Sequence, residues 1–206
     1  MKVLLVNGSP HPKGCTYTAL AEIASVLENN QVETEIFQLG VKPISGCMGC
    51  NKCFETGQCI VDDKVNIFVN KASEFDGFVF GSPVHYAAAS GAITSFMDRA
   101  FYSGGKKLAF KPGAVIVSCR RAGSTAALDQ LSKYLTINNM PVVSSQYWNM
   151  VHGASPGDVR QDQEGMQTMR SLGQNMAWLL RCIEAGKQAG INRPVHEQRV
   201  WTNFMR

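Results

Sequence analysis

Four cysteines crowd into thirteen residues of this 206-residue sequence, at Cys47, Cys50, Cys53 and Cys59. Their spacing, C-x2-C-x2-C-x5-C, lies on a glycine-containing connection, and side-chain packing does not explain so compact a group. Four soft thiolates suit a 4Fe-4S cluster or tetrahedral zinc. The C-x2-C-x2-C run favours iron-sulfur ligation, because the cysteine pairs of zinc ribbons usually lie farther apart. Free or redox-active thiols are the third interpretation.

A loop near the start of the chain has the residues of a phosphate site. It runs N-G-S-P-H-P-K-G-C-T from Asn7 to Thr16, between a short apolar strand and a predicted helix. A helix N-terminus carries unpaired N–H groups and positive partial charge, so a phosphate can bind there. Ser9 and Thr16 add hydroxyl donors, and Gly14 allows close backbone approach. A plain strand-to-helix turn capped by Thr16 is the other interpretation.

The glycines of this loop do not match the common nucleotide motifs. Only Gly8 and Gly14 are present, and no Lys-Ser/Thr pair follows. The loop is therefore neither a G-x-x-x-x-G-K-S/T loop nor a G-x-G-x-x-G fingerprint, which disfavours ATP hydrolysis and Rossmann-type NAD binding.

Composition limits the class of protein. The chain is 45% hydrophobic and 17% charged, and its length predicts one globular domain over 1–206. The net charge of +4 is too small for a nucleic-acid-binding surface but favours anionic ligands. The first apolar run is too short for a signal peptide or a membrane span, and the clustered cysteines suit a reducing compartment. We therefore expect a cytoplasmic protein without nucleic-acid or membrane partners.

Short apolar runs alternate with segments of helical period, which predicts a parallel sheet with helices on both faces. The predicted strands are 2–6, 32–39, 77–80, 114–118 and 142–148. Apolar helix faces are predicted at Leu20, Ile23, Ala24 and Leu27 and at Leu128, Leu131 and Leu135. A last helix and tail are expected after about 158. Its stripe of Met166, Met169, Leu172, Met176, Leu179 and Ile183 indicates core or oligomer packing.

The first loop and a second segment together resemble a known family. Strand, N-G-S-P-x-x-x-G-x-T and helix resemble the FMN-phosphate loop of the flavodoxin-like NADPH-dependent FMN reductase superfamily, including its iron-sulfur flavoproteins. Gly81-Ser82-Pro83-Val84-His85-Tyr86, then Ser90-Gly91 and Phe96-Met97-Asp98-Arg99, resemble that family's G-S-P-V-Y-x-x-x-x-S/G-x-x-K-x-F-x-D-R segment. Thr94-Ser95 stand where a lysine often precedes the phenylalanine. The resemblance covers residues 1 to about 143.

This resemblance implies a flavodoxin-like α/β three-layer sandwich with a five-stranded parallel sheet of order 2-1-3-4-5. FMN would lie beyond the carboxyl ends of strands one and three, where the strand order reverses. Its phosphate would rest on Ser9, Pro10, Gly14, Cys15 and Thr16. Its ring system would lie along Pro83, Val84, His85 and Tyr86. A surface loop histidine is the other interpretation of His85.

A third loop, 118–124, is expected to border the same crevice. Arg120 or Arg121 and the backbone near Gly123 would stabilise the negative charge that gathers on reduced flavin. Alternatively, both arginines are solvated or bind only NADPH phosphate. Of the isolated cysteines, Cys15 and Cys119 are expected to matter through their backbone, and Cys182 is expected in the core.

The cysteine segment, an insertion at 43–61, resembles the compact motif of iron-sulfur flavoproteins, in which a cluster near a subunit interface exchanges electrons with FMN. Related reductases carry similar loops that are empty. The resemblance implies an oxidoreductase that passes electrons from NAD(P)H through FMN to a small molecule or redox protein, with no catalytic acid or base. An FMN carrier without NAD(P)H oxidation and a non-flavin phosphate-binding domain are the alternatives. A homodimer or homotetramer is expected.

One further loop lies at the carboxyl edge of the predicted sheet. Asn149 and His152 belong to a polar segment past the fifth strand, where a substrate could enter. An ordinary surface turn explains the same residues.

Overall fold

Buried apolar strands form the centre of the computed structural model, which describes residues 1–198 and 200–202. The strands are β1 (Lys2–Asn7), β2 (Glu33–Gln38), β3 (Gly77–His85), β4 (Ala88–Ala89), β5 (Gly113–Cys119) and β6 (Met150–His152). β1, β3 and β5 are buried almost throughout, as expected of parallel strands covered on both faces.

The helices of the described residues lie between and after these strands. They are α1 (Cys15–Asn29), α2 (Cys53–Thr56), α3 (Lys64–Lys71), α4 (Gly91–Leu108), α5 (Ser124–Ile137), α6 (Pro156–Gln161) and α7 (Gln163–Gln188). None of these helices is both long and apolar enough to cross a lipid bilayer.

The parallel strands follow the order β2-β1-β3-β5-β6, and β4 pairs antiparallel with the end of β3. When β4 is left out and the five parallel strands are numbered in chain order, β5 and β6 become strands four and five. The order is then the predicted 2-1-3-4-5, so the flavodoxin-like fold is confirmed. The order reverses between β1 and β3, which places the switch point where the sequence located it.

Alternate residues of each central strand enter different cores, because successive side chains of a strand point to opposite faces. Val3 and Leu5 pack with α1 and α7, whereas Leu4 and Val6 pack with α3, α4 and α5. The predicted apolar faces of the first and fifth helices are buried as expected. The result is three layers, with the sheet in the middle.

Aromatic rings fill the core between the sheet and α3 and α4. Phe68 of α3 lies 5.1 Å from Phe96 of α4, 5.8 Å from Phe78, and 6.0 Å from both Phe37 and Phe80, measured between ring centroids. Edge-to-face pairs at such distances add to the free energy of burial. This cluster fixes α4 against the sheet.

The predicted fifth strand, 142–148, is wrong in position. Val142 makes only an isolated bridge to Gly113, and the strand that pairs with β5 is β6. Ser145 explains the difference, because its hydroxyl donates to the Tyr147 carbonyl and accepts from the Tyr147 N–H, so the chain turns instead of extending. Tyr147 and Trp148 are exposed as a result.

The predicted C-terminal helix is present but interrupted at Asp162, whose carboxylate caps α7. Met166, Met169, Leu172 and Met176 are buried as expected, and Leu179 and Ile183 are partly buried. Cys182, however, is exposed, so its predicted place in the core is wrong. It lies six residues after Met176, about 240° around the helix and away from the buried stripe.

The tail beyond α7 contains two aromatic residues, Trp201 and Phe204. Trp201 is exposed, and Phe204 lies outside the described residues.

Replacing Phe68 by alanine tests the aromatic cluster. We expect the free energy of unfolding, measured by urea denaturation, to fall by about 3–5 kcal/mol, because a fully buried phenylalanine is removed. Ile67→Ala is the matched control on the same helix, since Ile67 is 52% exposed, and its loss should stay below about 1 kcal/mol. Equal losses in both variants would contradict this account of the core.

Candidate functional site

Three loops meet at the carboxyl edge of the sheet. Asn7 at the end of β1 lies in register with Gly81 of β3, and Pro83 of β3 lies in register with Ser118 of β5. The loops that follow these strands therefore border one crevice at the switch point. They are 8–14, the hairpin 83–90, and 120–123.

The first loop is held in shape by three side chains. The Asn7 carboxamide is buried; its Oδ1 accepts from Ser9 N–H at 3.1 Å, and its Nδ2 donates to Gln38 Oε1 at 2.6 Å. Gln38 Nε2 in turn donates to the Ser9 carbonyl at 2.6 Å. Ser9 Oγ accepts from His11 N–H. The loop is thus positioned before any ligand enters.

Neither Asn7 nor Gln38 was predicted as a site residue. A buried asparagine at the end of an apolar strand is a signal for the first. Gln38 had no local signal, because it reaches the loop from a neighbouring strand.

Two helices begin at this edge of the sheet without a side-chain cap. Among the described helices longer than one turn, only α1 and α5 lack a side-chain cap, and glycines occupy their N-cap positions, Gly14 and Gly123. The others are capped by Asp63, Ser90, Ser155 and Asp162. Two helix N-termini that border the crevice therefore keep donors and positive partial charge for an anion.

Thr16 does not cap α1, so the simple capped-turn interpretation is wrong. Its buried hydroxyl lies 2.9 Å from Ser118 Oγ near the end of β5, so it links the first turn of α1 to β5. Cys15 points toward the β6–α6 loop, where its Sγ lies 3.8 Å from the Gly153 carbonyl. Burial raises the pKa of both the Cys15 and Cys119 thiols, which disfavours their thiolates.

The floor of the crevice is backbone packed on backbone. Gly8 N–H donates to the Gly81 carbonyl at 2.8 Å. A Cβ on Gly8 would lie 2.7 Å from that carbonyl oxygen, and a Cβ on Gly81 would lie 2.9 Å from Thr16 Cγ2. A side chain at Gly8 would therefore force the first loop away from β3, whereas one at Gly81 would displace the Thr16 and Leu20 side chains of α1.

The second loop is a β-hairpin. Pro83 and Val84 are partly buried, whereas His85 and Tyr86 are exposed at its tip, where Tyr86 and Ala87 have φ of 49° and 59°. Ser90 fixes the hairpin to the first loop: its N–H donates to Ser82 Oγ at 3.1 Å, and its hydroxyl donates to the Gly8 carbonyl at 3.3 Å. The predicted ring-binding segment therefore lies across the crevice from the helix α1 terminus.

The third loop completes the crevice. Gly123 has a φ of 86°, and a Cβ there would lie 2.3 Å from Ala87 Cα, so only glycine lets this loop touch the hairpin. Arg120 and Arg121 are exposed beside it. The loop therefore brings positive charge to the crevice.

Asn149 and His152 have structural partners. The Asn149 carboxamide oxygen lies 2.7 Å from Ser145 Oγ, and the His152 N–H donates to Asp162 Oδ2 at 2.7 Å. His152 is the last residue of β6 and Asn149 is buried directly before that strand, so these two residues do not form the ordinary surface turn.

The four clustered cysteines border one depression, on the α3–α4 side of the molecule. Cys47 and Cys50 are exposed, whereas Cys53 and Cys59 are partly buried, and Cys59 Sγ accepts from Arg99 Nε at 3.2 Å. The pKa of Cys53 is raised by burial and by its three neighbouring thiols. Within the described residues, no three potential ligands are close enough to hold a metal ion. The structure thus gathers the thiols without forming a finished ligand set.

Fold and crevice together define a flavodoxin-like protein whose uncapped helix N-termini suit a phosphate-bearing ligand. A family model described as NADPH-dependent FMN reductase matches residues 1–155, and the chain belongs to that family. It is an FMN-binding flavoprotein.

Curated relatives carry the name iron-sulfur flavoprotein. One from Methanocaldococcus jannaschii is 32% identical over 195 residues, which are 89% of this chain and 100% of that protein. Another, from Archaeoglobus fulgidus, is 25% identical over 194 residues, which are 87% and 97% of the two chains.

Solved structures support the fold at low identity. RosB with bound 8-demethyl-8-formylriboflavin-5′-phosphate aligns with a TM-score of 0.69 and 16% identity, over 100% of this chain and 93% of that one. An NADH:FMN oxidoreductase aligns with a TM-score of 0.64 and 15% identity, over 86% of this chain and 89% of that one.

Replacing Thr16 by valine tests the phosphate position. We expect FMN to bind about tenfold more weakly, since the Thr16 hydroxyl, which accepts from Ser118 Oγ and donates to the phosphate, contributes roughly 1.4 kcal/mol. Riboflavin, which lacks the phosphate, should bind as it does to the parent protein. Fluorescence titration of the FMN-free protein measures both. Equal weakening of the two ligands would contradict a phosphate contact.

Proposed function

We propose that the protein is an oxidoreductase that passes electrons from NAD(P)H through FMN to an acceptor. The observation that carries this proposal is the pair of uncapped helix N-termini at the switch point of the sheet. Membership of the FMN reductase family supports the same ligand.

The phosphate of FMN would bind at the N-terminus of α1. The backbone N–H groups of Cys15 and Thr16 lie in its first turn, and Gly14 leaves them without a side-chain competitor. Ser9 and Thr16 add hydroxyls, and Pro10 shapes the loop without a donor of its own. The preformed loop then needs little rearrangement to hold the ligand.

The ring system would lie along the hairpin and the third loop. Pro83 and Val84 offer apolar surface, and the exposed His85 and Tyr86 offer rings at its edge. When bound, FMN supplies hydride acceptance and transfer of single electrons. Arg120 and the α5 terminus behind Gly123 would stabilise the negative charge of the reduced state.

No side-chain acid or base is assigned to the reaction. The crevice residues bind and orient, so alignment of donor and ring, together with electrostatic stabilisation, accounts for the rate.

The four cysteines of segment 43–61 would hold a 4Fe-4S cluster. Four soft thiols around one depression suit iron-sulfur ligation, and the relatives named iron-sulfur flavoproteins support it. Cys47 and Cys50 lie on an exposed loop, which can close toward the more buried Cys53 and Cys59. Electrons would pass between FMN and this second centre.

Anaerobic mixing with reduced nicotinamides tests the reductase activity. We expect NADPH or NADH to bleach the flavin absorbance of the FMN-loaded protein. If neither does, while dithionite does, the protein is an FMN electron carrier that receives electrons from another protein.

Iron and acid-labile sulfide analysis of anaerobically prepared protein tests the cluster. We expect about four of each per chain, as a 4Fe-4S cluster requires. Cys47→Ser should lose most of the iron. Cys182→Ser is the matched control, since Cys182 is also exposed but lies on α7, and it should retain the full content. Zinc, or no metal, in the parent protein would contradict the cluster.

We also propose that the electron acceptor is a small molecule or a redox protein, and that the protein assembles into a homodimer or homotetramer. Sedimentation velocity measures the oligomeric state.

A further inference from the structure

The guanidinium of Arg99 is the most completely enclosed charge in the described residues, with 1% of its side chain exposed. It forms a two-pronged pair with Asp63: Nη1 lies 2.6 Å from Oδ2, and Nη2 lies 3.0 Å from Oδ1. Nη2 also donates to the Val61 carbonyl at 2.8 Å, and Nη1 to the Ser45 carbonyl at 3.4 Å. Nε donates to Cys59 Sγ, so all five donors are used.

These partners belong to the two ends of the cysteine segment. Ser45 precedes Cys47 by two residues, and Val61 follows Cys59 by two. The Arg99 side chain on α4 therefore holds both ends of the cysteine segment together, and the segment forms a loop around the guanidinium. Asp63, which caps α3 and keeps 24% of its side chain exposed, pairs with the guanidinium, so Arg99 is not left as an unpaired buried charge.

Cys59 is held more firmly than its three companions. Its sulfur accepts from Arg99, and its backbone N–H and carbonyl are both bonded to the Asn66 carboxamide, at 2.9 and 2.8 Å. Cys47 and Cys50 are exposed on the other side of the depression. The ligand set thus has one fixed member, around which the others can close.

We propose that Arg99 is the positioning residue of the cysteine site, and that its Nε–H bond to the Cys59 sulfur raises the reduction potential of the cluster bound there. This inference rests on the proposed 4Fe-4S cluster. When bound, the cluster would accept one electron from the reduced flavin, and that electron would add negative charge to its sulfurs. A donor from a permanent cation stabilises that charge more in the reduced state than in the oxidised state.

The helix that carries Arg99 also separates the two centres. Ser90, the cap of α4, contacts the first crevice loop, and Arg99 lies nine residues further, about 14 Å along the axis. A change at Arg99 should therefore act on the cluster and leave the flavin unaffected. The FMN of the same sample is an internal control.

The double variant Arg99→Met/Asp63→Asn tests the inference. It removes both charges together, so neither is left buried alone, and asparagine retains the cap of α3. The measurements are iron and sulfide content, and a dithionite titration that gives the midpoint potentials of cluster and FMN. At a fixed potential, we expect the ratio of reduced to oxidised cluster to fall about tenfold, about 59 mV for a one-electron couple. The FMN potential should not change.

Asp63→Asn alone is the matched control. It keeps the Arg99 bond to Cys59 and removes only the negative charge, so the cluster potential should stay the same or rise. Loss of iron from the double variant, with FMN affinity and thermal unfolding retained, also supports the positioning role. If the double variant does not fold, Arg99→Lys keeps the charge but not the Nε donor, and the cluster potential should still fall.

Three results would overturn the inference. Full iron content with an unchanged cluster potential in the variant that folds would show that Arg99 is structural only. Equal shifts of the cluster and FMN potentials would show a general effect of the fold. A parent protein without iron and sulfide would instead reject the proposed cluster itself, and the inference with it.

Discussion

Unpaired backbone N–H groups at the first turns of α1 and α5 are the constraint around which the crevice is built. Glycines at their N-cap positions, Gly14 and Gly123, provide no side chain to satisfy them. The parallel sheet brings both helix N-termini to the same edge, because every parallel strand ends there. Side chains that could have served as caps hold the loops together instead, as Thr16 does with Ser118. An anion is then the partner that completes the structure.

Helix α4 relates this crevice to the cysteine depression. Ser90 at its start is bonded to the first loop, Phe96 packs in the aromatic core, and Arg99 reaches the cysteine segment. Because the core fixes α4 against the sheet, the two sites keep a constant separation within the chain. The long insertion between β2 and α3 is anchored at its ends to the rigid part of the fold, so the proposed second redox centre would not disturb the first.

Local pattern was enough to predict most strands and helices, a phosphate loop and the cysteine group, whereas the strand order and the flavin site came from the family resemblance. Near-continuous apolar runs identified β1, β3 and β5, and the loops after them carried the motifs. The last strand was misplaced because Val142 and Val143 are apolar, whereas the hydrogen bonds of Ser145 that turn the chain have no periodic signature. All four clustered cysteines were found from spacing alone. The contact between Arg99 and Cys59 was not, because it joins residues 40 positions apart and depends on how α4 packs.

Amide hydrogen exchange, compared between FMN-free and FMN-saturated protein, tests the central claim most directly. The account predicts strong slowing at the first turns of α1 and α5, whose N–H groups gain acceptors, and no change at the first turn of α6, which Ser155 already caps. Unchanged exchange at the first turn of α1 in saturating FMN would contradict it.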